Sequence, residues 1–488
     1  MLFGLTIQLR IVHTSDSHGW LYGNPHEQDS ANFGDILSFI AAQKEQKPTI
    51  ALDSGDFISG SGLSDATDIQ GQYVYEAWAQ SFQYNEFYDY VTFGNHDVSD
   101  QKSIKVLLNA LYDENVHNHT ISYNIFANGG ALTNRFKFTT IQNTKFLVLG
   151  FMYNMKTPKP LQIKSFIDEI KKDQLFSTLV KNAEAFLILL HAGMQSDHQN
   201  YQLLYQAIRS LSPNPIIILG GHEHLKGFMY PVIPYSSFDN IFPQTFNESG
   251  DYNAIFVESE NYLRSITLLD FEIVNNQLSN VQYKTLQSNK QDLLTEVNLD
   301  QFSNLNAIQI QNLINEHLQQ LQLLRIIGNC DRNFFYQDMN PNSPDSIYNL
   351  WLNQVVKVLF DLNESQKLIY NPISLIGTAF FNSNIYKGPV YKNDLYATAP
   401  YKNEFFYLVQ IQGQDLRSIT NQMNANGLKY VVSDINFELQ YSLIINDYDY
   451  LQFKKDADKL KINVQKESYT KYSTFDLFQL FVTQNWGI

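Results

Sequence analysis

Five short apolar runs in the first half of the chain each end in a cluster of Asp, Asn, His and Gly: LRIVHTSDSHG, PTIALDSGD, DYVTFGNHD, AFLILLHAG and PIIILGGHEH. Each run is too brief for a helix and most are rich in β-branched residues, which predicts a strand followed by a polar loop. Stretches with helical spacing, such as GDILSFIAAQKEQK and SFIDEIKKDQLFSTLVKNA, lie between them. Strands alternating with helices predict an α/β sandwich whose strands are buried on both faces. Loops at the carboxyl ends of such strands are where α/β proteins place their ligands. The pattern therefore brings Asp16, His18, Asp56, Asn95, His96, Asp97, His191, His222 and His224 toward one edge.

Carboxylate, imidazole and amide oxygen together suit borderline divalent ions such as Zn, Mn or Fe. So many donors exceed one closed tetrahedral site but suit two ions sharing a carboxylate, the arrangement that clamps both oxygens of a phosphoryl displacement. The single cysteine, Cys330, excludes an intrachain disulfide and a thiolate zinc cluster. A net charge of −15 argues against a nucleic acid polymer as partner. It leaves room for a small phosphorylated substrate, because bound metal supplies the positive charge that the chain lacks. No apolar run approaches the ~18 residues of a membrane span. No signal-peptide pattern precedes the first strand-like run. Neither the compartment nor the oligomeric state can be read from the residues.

At 488 residues the chain is expected to form at least two domains. The character changes near residue 286. The stretch NAIQIQNLINEHLQQLQLL puts Ile310, Leu313, Ile314, His317, Leu318 and Leu321 on one helical stripe, with His317 read as packing. Beyond it lies a Tyr- and Phe-rich αβ unit without the strand-then-His pattern. The expected boundaries are 1–290, a linker helix within 291–325, and 326–488. The Gly-Ser-Gly at 60–62 reads as a flexible loop. His13, His26, His117, His119 and His198 read as structural.

The series D-x-H, G-D, G-N-H-D, H-x-G and G-H-x-H, in this order, resembles the calcineurin-like metallophosphoesterases. VHTSDSHG, GDFISGSG and GGHEH are similar in particular to the 5′-nucleotidase and UDP-sugar hydrolase branch. The resemblance implies a four-layer αββα sandwich plus a smaller αβ C-terminal domain joined by a long helix. Carried over residue by residue, it implies one metal held by Asp16, His18 and His224, and a second held by Asn95, His191 and His222. Asp56 would bridge them. His96 would act on the transition state or the leaving oxygen, with Asp97 orienting its ring.

The C-terminal half departs from the family where substrate is recognised. Counting back from Gly388-Pro389 places Asn382 where the resemblance calls for an arginine, and only Arg332 lies in the upstream segment. The stretch ATAPYKNEFFYLVQIQGQDL resembles the family's first aromatic clamp, giving Tyr401 and Asn403 as substrate-binding residues. VQKESYTKYSTFDLF can be laid over the second, giving Tyr469 and Asp476. The expected activity is a dimetal phosphohydrolase acting on nucleotide esters or anhydrides through a metal-activated water. Alternatives are a phosphodiesterase, a broad phosphatase of non-nucleotide substrates, or a metal-containing binding protein.

Overall fold

The computed structural model describes residues 6–27, 29–233, 250–297, 303–362, 371–377, 380–399, 405–425, 430–432 and 435–487. Contacts divide the chain into two compact units: residues 1–59 with 67–317, and residues 60–66 with 318–488.

The first unit is built on two larger sheets. Its strands are β1 (Thr6–Thr14), β2 (Thr49–Asp53), β3 (Tyr90–Val91), β4 (Ile125–Ala127), β5 (Gly130–Ala131), β6 (Phe136–Ile141), β7 (Thr144–Met152), β8 (Leu161–Ile163), β9 (Ala185–His191), β10 (Ile216–Gly220), β11 (Gly227–Met229), β12 (Ala254–Glu258), β13 (Ser265–Val274) and β14 (Gln277–Gln287). One sheet runs β14-β13-β1-β2-β3 and the other β11-β12-β10-β9-β7-β6, with a small β5-β4-β8 sheet beside them. Strands β1, β2 and β3 are parallel to one another, as are β7, β9, β10 and β12.

Residue parity shows how the layers stack, because successive side chains of a strand point to opposite faces. Leu187 and Leu189 of β9, Ile217 and Leu219 of β10, and Ile255 and Val257 of β12 join Leu9, Ile11, Ile50 and Leu52 of the first sheet in one core cluster. Their sequence neighbours Phe186, Ile188, Leu190, Ile216, Ile218 and Phe256 join a second cluster with Tyr201, Leu204, Tyr205 and Ile208 of the helix His198–Arg209. On the far side of the first sheet, Arg10 of β1 donates to Gln43 of the helix Phe33–Gln46. The order is therefore helix, sheet, sheet, helix, which is the expected four-layer sandwich. Burial on both faces explains why β9 and β10 read as unbroken apolar runs rather than as alternation.

Arg10 also faces Asp270 across the antiparallel β1–β13 pair, with Nε and Nη2 at 2.7 and 2.5 Å from the two carboxylate oxygens. Burial pushes the Asp270 carboxyl up, but the hydrogen bonds and charge of Arg10, aided by Lys47, outweigh it and hold the group below its usual range.

In the second unit, β15 (Ile326–Cys330) pairs with β17 (Gly388–Tyr391). A five-stranded sheet runs β19 (Tyr430–Val432), β16 (Ile373–Gly377), β20 (Gln440–Asn446), β18 (Phe405–Gln412) and β21 (Glu467–Ser473). Much of the aromatic content is spent on its core, where Tyr348, Trp351, Phe380, Phe381, Phe478 and Phe481 pack in one cluster. The stripe read from the sequence forms the helix Leu305–Gln320, with Ile310, Ile314 and Leu318 buried. His317 at its end stacks on Tyr73 at 3.9 Å, a packing role. The Gly-Ser-Gly expected to be a flexible loop is instead buried. Ser61 precedes the short helix Gly62–Asp65, the Gly62 N–H donates to Asn393 Oδ1 at 2.8 Å, and a Cβ on Gly62 would collide with Leu323. Glycine is used there for close approach. Among the described residues no helix is long and apolar enough to cross a membrane.

Two stability measurements follow from this packing. Leu189→Ala removes a fully buried side chain between the sheets and is expected to cost about 2–5 kcal/mol, read from the denaturant midpoint of the first unit; an unmoved midpoint would contradict the layer assignment. Because the folded pKa of Asp270 lies below its unfolded value, its stabilisation is present above the unfolded value and is lost as pH falls through the folded one. Asp270→Asn should therefore be less stable than wild type near neutrality, with the gap closing below about pH 4. A gap independent of pH would disprove that coupling.

Candidate metal centre

The polar clusters do not come from one sheet. Asp16 and His18 follow β1, Asp56 follows β2, and Asn95 to Asp97 follow β3, while His191 ends β9 and His222 and His224 follow β10. Three loops from one sheet thus meet two from the other at the carboxyl ends of both. Their backbone is costly: Asp16, His18, Asp56, His222 and His224 all hold positive φ, at 53°, 46°, 60°, 86° and 63°. Non-glycine residues adopt this region seldom, and such strain persists only where surrounding structure imposes it.

The imposing contacts are visible. The Asp16 N–H donates to Gly55 O at 2.8 Å, and the His18 N–H to Asp56 O at 2.9 Å. Asp16 in turn accepts from the His222 N–H at 3.0–3.1 Å and from Ser15 Oγ at 2.5 Å. A Cβ at Gly94 would collide with the Asp56 carboxylate and come within 2.5 Å of the His191 ring, and one at Gly221 would collide with Ser15. Only glycine lets these loops close on one another.

The donors form three groups, each with ligand atoms within 4.8 Å of one another: Asp16, His18 and His224; Asp56, His191 and His222; and His18, Asp56 and His96. His222 and His224, one residue apart in sequence, thus point into different groups. His18 Nδ1 lies 3.0 and 2.7 Å from the carbonyls of Ile58 and Ser59, which fixes the proton on that nitrogen. His191 Nδ1 is fixed in the same way by Ser54 O at 2.7 Å. The remaining nitrogens then turn inward as lone pairs. His18 Nε2 stands 3.0 Å from His224 Nε2 and 3.8 Å from both Asp16 Oδ1 and Asp56 Oδ2. His191 Nε2 stands 3.3 Å from Asp56 Oδ2 and 3.2 Å from Asn95 Oδ1, both acceptors.

Lone pairs facing carboxylates in a buried pocket require a cation between them, and this donor set fits a metal pair. The electrostatics agree. Burial pulls the His191 imidazole down, yet Asp56 and Asp16 reverse the effect and raise it to about 10. Burial pushes the Asp16 and Asp56 carboxyls up, and the surrounding imidazoles outweigh it and hold both below the usual range. The buried carboxylates thus favour positive charge at this point of the structure.

His96 sits at the rim, half-buried, its ring 5.0 Å from that of His18 and its N–H donating to Asp56 Oδ1 at 2.8 Å. Asp97 does not orient it. The Asp97 carboxylate accepts from the N–H groups of Asp56, Phe57 and Gly94 at 2.8–3.1 Å and from Tyr75 Oη at 2.9 Å. It clasps the β2 and β3 loops together, and none of these partners is the His96 ring. Burial, then the charge of Asp56, raises this carboxyl to about 7.

A matching clasp joins the other two loops. Glu258, buried at the end of β12, accepts from the Met194 N–H at 2.6 Å and the Glu223 N–H at 3.0 Å. Asn261 Nδ2 lies 3.0 Å from His224 Nδ1. These residues belong to a sixth apolar run ending in polar residues, AIFVESEN, and that pattern was the available signal.

In the second unit, Tyr401 and Asn403 lie outside the described residues, and only the backbone of Tyr469 is described, in β21. Asp476 completes a capping box with Ser473 at the start of the helix Thr474–Asn485. Arg332 is bound to its neighbour Asp331 at 3.3 Å, and the Asn382 N–H donates to Thr398 O.

Residues 9–226 match the calcineurin-like phosphoesterase family, and residues 333–477 match the C-terminal domain of NAD nucleotidase. An uncharacterised protein of Schizosaccharomyces pombe is 24% identical over 482 residues, covering 88% of this chain and 76% of its own. The crystal structure of a 5′-nucleotidase from Candida albicans superposes with a TM-score of 0.81 at 18% identity, covering 97% of this chain and 98% of that one. A sulfate thiohydrolase from Thermus thermophilus has the same fold at a TM-score of 0.64 and 12% identity, covering 98% and 94%. Residues 9–226 thus carry a calcineurin-like phosphoesterase domain, and residues 333–477 are similar to the C-terminal domain of NAD nucleotidase.

Proposed function

We propose that the protein is a dimetal phosphohydrolase that cleaves phosphate esters or anhydrides of nucleotides. The observation that carries this reading is the convergence of two donor sets, each drawn from both sheets, on the shared carboxylate of Asp56. Asp16, His18 and His224 would hold one ion, Asn95, His191 and His222 the other, and Asp56 both. The ions are Zn, Mn or Fe by the chemistry of the donors. When bound, such ions supply positive charge to phosphoryl oxygens and make water ionisable near neutral pH.

The chain's own residues do the rest. The carbonyls of Ile58, Ser59 and Ser54 keep His18 and His191 in the tautomer that presents Nε2 inward. His96, at the rim and committed to no side-chain hydrogen bond among the described residues, is free to offer a ring N–H to a phosphoryl or leaving oxygen. Asp97 contributes by fixing the Asp56 loop.

The nucleotide part of the reading rests on the likeness of residues 333–477 to a nucleotidase domain. A second reading, a phosphatase or phosphodiesterase for non-nucleotide substrates, draws support from Asn382 standing where the resemblance calls for an arginine and from Arg332 being tied to Asp331. The sulfate thiohydrolase of the same fold is a reminder that this architecture does not fix the leaving group. Phosphate release from nucleotides, nucleotide sugars, cyclic nucleotides and sugar phosphates, with Mn and Zn supplied separately, decides between them. Nucleotides turned over faster than a generic aryl phosphate are expected; the reverse order would favour the second reading.

Two variants separate the roles at the β3 loop. His96→Ala should lower kcat by ~100-fold or more with metal content unchanged, and undiminished turnover would remove its assigned role. Asp97→Ala should instead lose bound metal and stability, because three N–H donors and Tyr75 are left unpaired. Full metal occupancy in that variant, with a rate loss like that of His96→Ala, would restore Asp97 as the partner of His96.

A further inference from the structure

Strand β7 supplies no donor to the metal centre. Its run, KFLVLGFMYNMK, passes into Tyr153 where the neighbouring strand β9 ends in His191. The two strands are parallel with Met152 opposite His191, and one residue further on the Tyr153 N–H donates to His191 O at 3.3 Å. From there the Tyr153 ring reaches the loop after β10, where it packs on the His222 imidazole with centroids 4.6 Å apart and planes at 40°. Four residues later the Thr157 hydroxyl donates to Val98 O, at the end of the short helix that begins with Asn95. The end of β7 therefore touches all three elements that carry the second donor set, those of Asn95, His191 and His222.

His222 needs such a contact more than the other imidazoles do. Backbone carbonyls hold Nδ1 of His18 and of His191, and the Asn261 amide lies 3.0 Å from Nδ1 of His224. Among the described residues the His222 ring makes no hydrogen bond; only its backbone N–H does, to Asp16. The ring is half-buried, and the groups in contact with it are themselves rings, Tyr153 and, at 5.4 Å and 62°, His191. Outer partners that orient a ligand raise its affinity for the ion, and packing against a broad aromatic face restricts rotation as a hydrogen bond would.

The first donor set has a counterpart. The Tyr262 N–H donates to Asp16 O at 2.7 Å, and its ring packs edgewise on His18 at 5.5 Å and on His224 at 5.6 Å. Each donor set thus has one tyrosine packed against its imidazoles.

We infer that Tyr153 is a positioning residue for the second ion alone: its ring, in place of a hydrogen bond, holds His222 in the orientation that joins Asn95 and His191. The inference rests on the metal assignment proposed above, and it gives β7 a part in the site although that strand ligates nothing.

The test measures Mn binding by the full-length protein, with calorimetry for the affinities and electron paramagnetic resonance to tell a coupled Mn pair from a single ion. Tyr153→Phe keeps the ring and should bind both ions as wild type does. Tyr153→Leu keeps apolar bulk without the ring, and Tyr153→Ala removes both; each should weaken one Mn by about tenfold or more and the other by no more than about twofold. The coupled spectrum should give way to that of a single Mn, and the anomalous peak among Asn95, His191 and His222 should be the one that fades. Leu and Ala variants that bind both ions as tightly as wild type, or that weaken both equally, would overturn the inference, as would a Phe variant that behaves like Ala. A wild type that holds no Mn pair would remove the dimetal reading and this inference with it. A wild-type pair weakened selectively in the Leu and Ala variants, in a protein that hydrolyses no phosphate ester, would support the positioning role and remove only the proposed hydrolysis.

Discussion

The structure depends on one electrostatic constraint: buried imidazole lone pairs and carboxylates are made to face one another across a gap that only a cation can satisfy. His18 and His191 are pinned by backbone carbonyls on the outer nitrogen, so their inner nitrogens cannot turn away. Five of the donors sit in left-handed backbone, which costs free energy in the folded chain. That cost is offset by the sandwich beneath, whose strands are buried on both faces and do not yield. Metal held there would return stability to the fold, because it would bind the native arrangement and not the unfolded chain.

Two buried carboxylates translate that rigidity into geometry. Asp97 ties the β2 loop to the β3 loop, and Glu258 ties the β9 loop to the β10 loop. Each therefore joins two loops of its own sheet, and Asp56 lies where the two halves meet.

Much of this was legible in the sequence because its chemistry is local. An apolar run followed by Gly, Asp and His announces a strand end, and the structure brings Asp16, His18, Asp56, Asn95, His191, His222 and His224 together there. What was not legible was direction. Asp97 follows His96 in the chain, which suggests a pair, but both lie on the short helix Asn95–Val98, where consecutive side chains diverge. Glu258 escaped notice because its run ends without His or Gly. The Gly-Ser-Gly at 60–62 looked flexible by composition, whereas its glycine serves close packing against Leu323 and Asn393. In the second unit the aromatics are shared between core and candidate clamp, and composition alone does not separate them: Trp351, Phe381 and Phe478 are core, while Tyr401 lies outside the described residues.

The most direct test of the central claim is anomalous diffraction from crystals of Mn-loaded protein, collected for wild type and for Asp56→Ala. Two peaks per chain are predicted in wild type, one among Asp16, His18 and His224 and one among Asn95, His191 and His222, with Asp56 between them and occupancy falling at both when its carboxylate is removed. An absence of peaks at these donors, or two full peaks that persist without Asp56, would contradict the account.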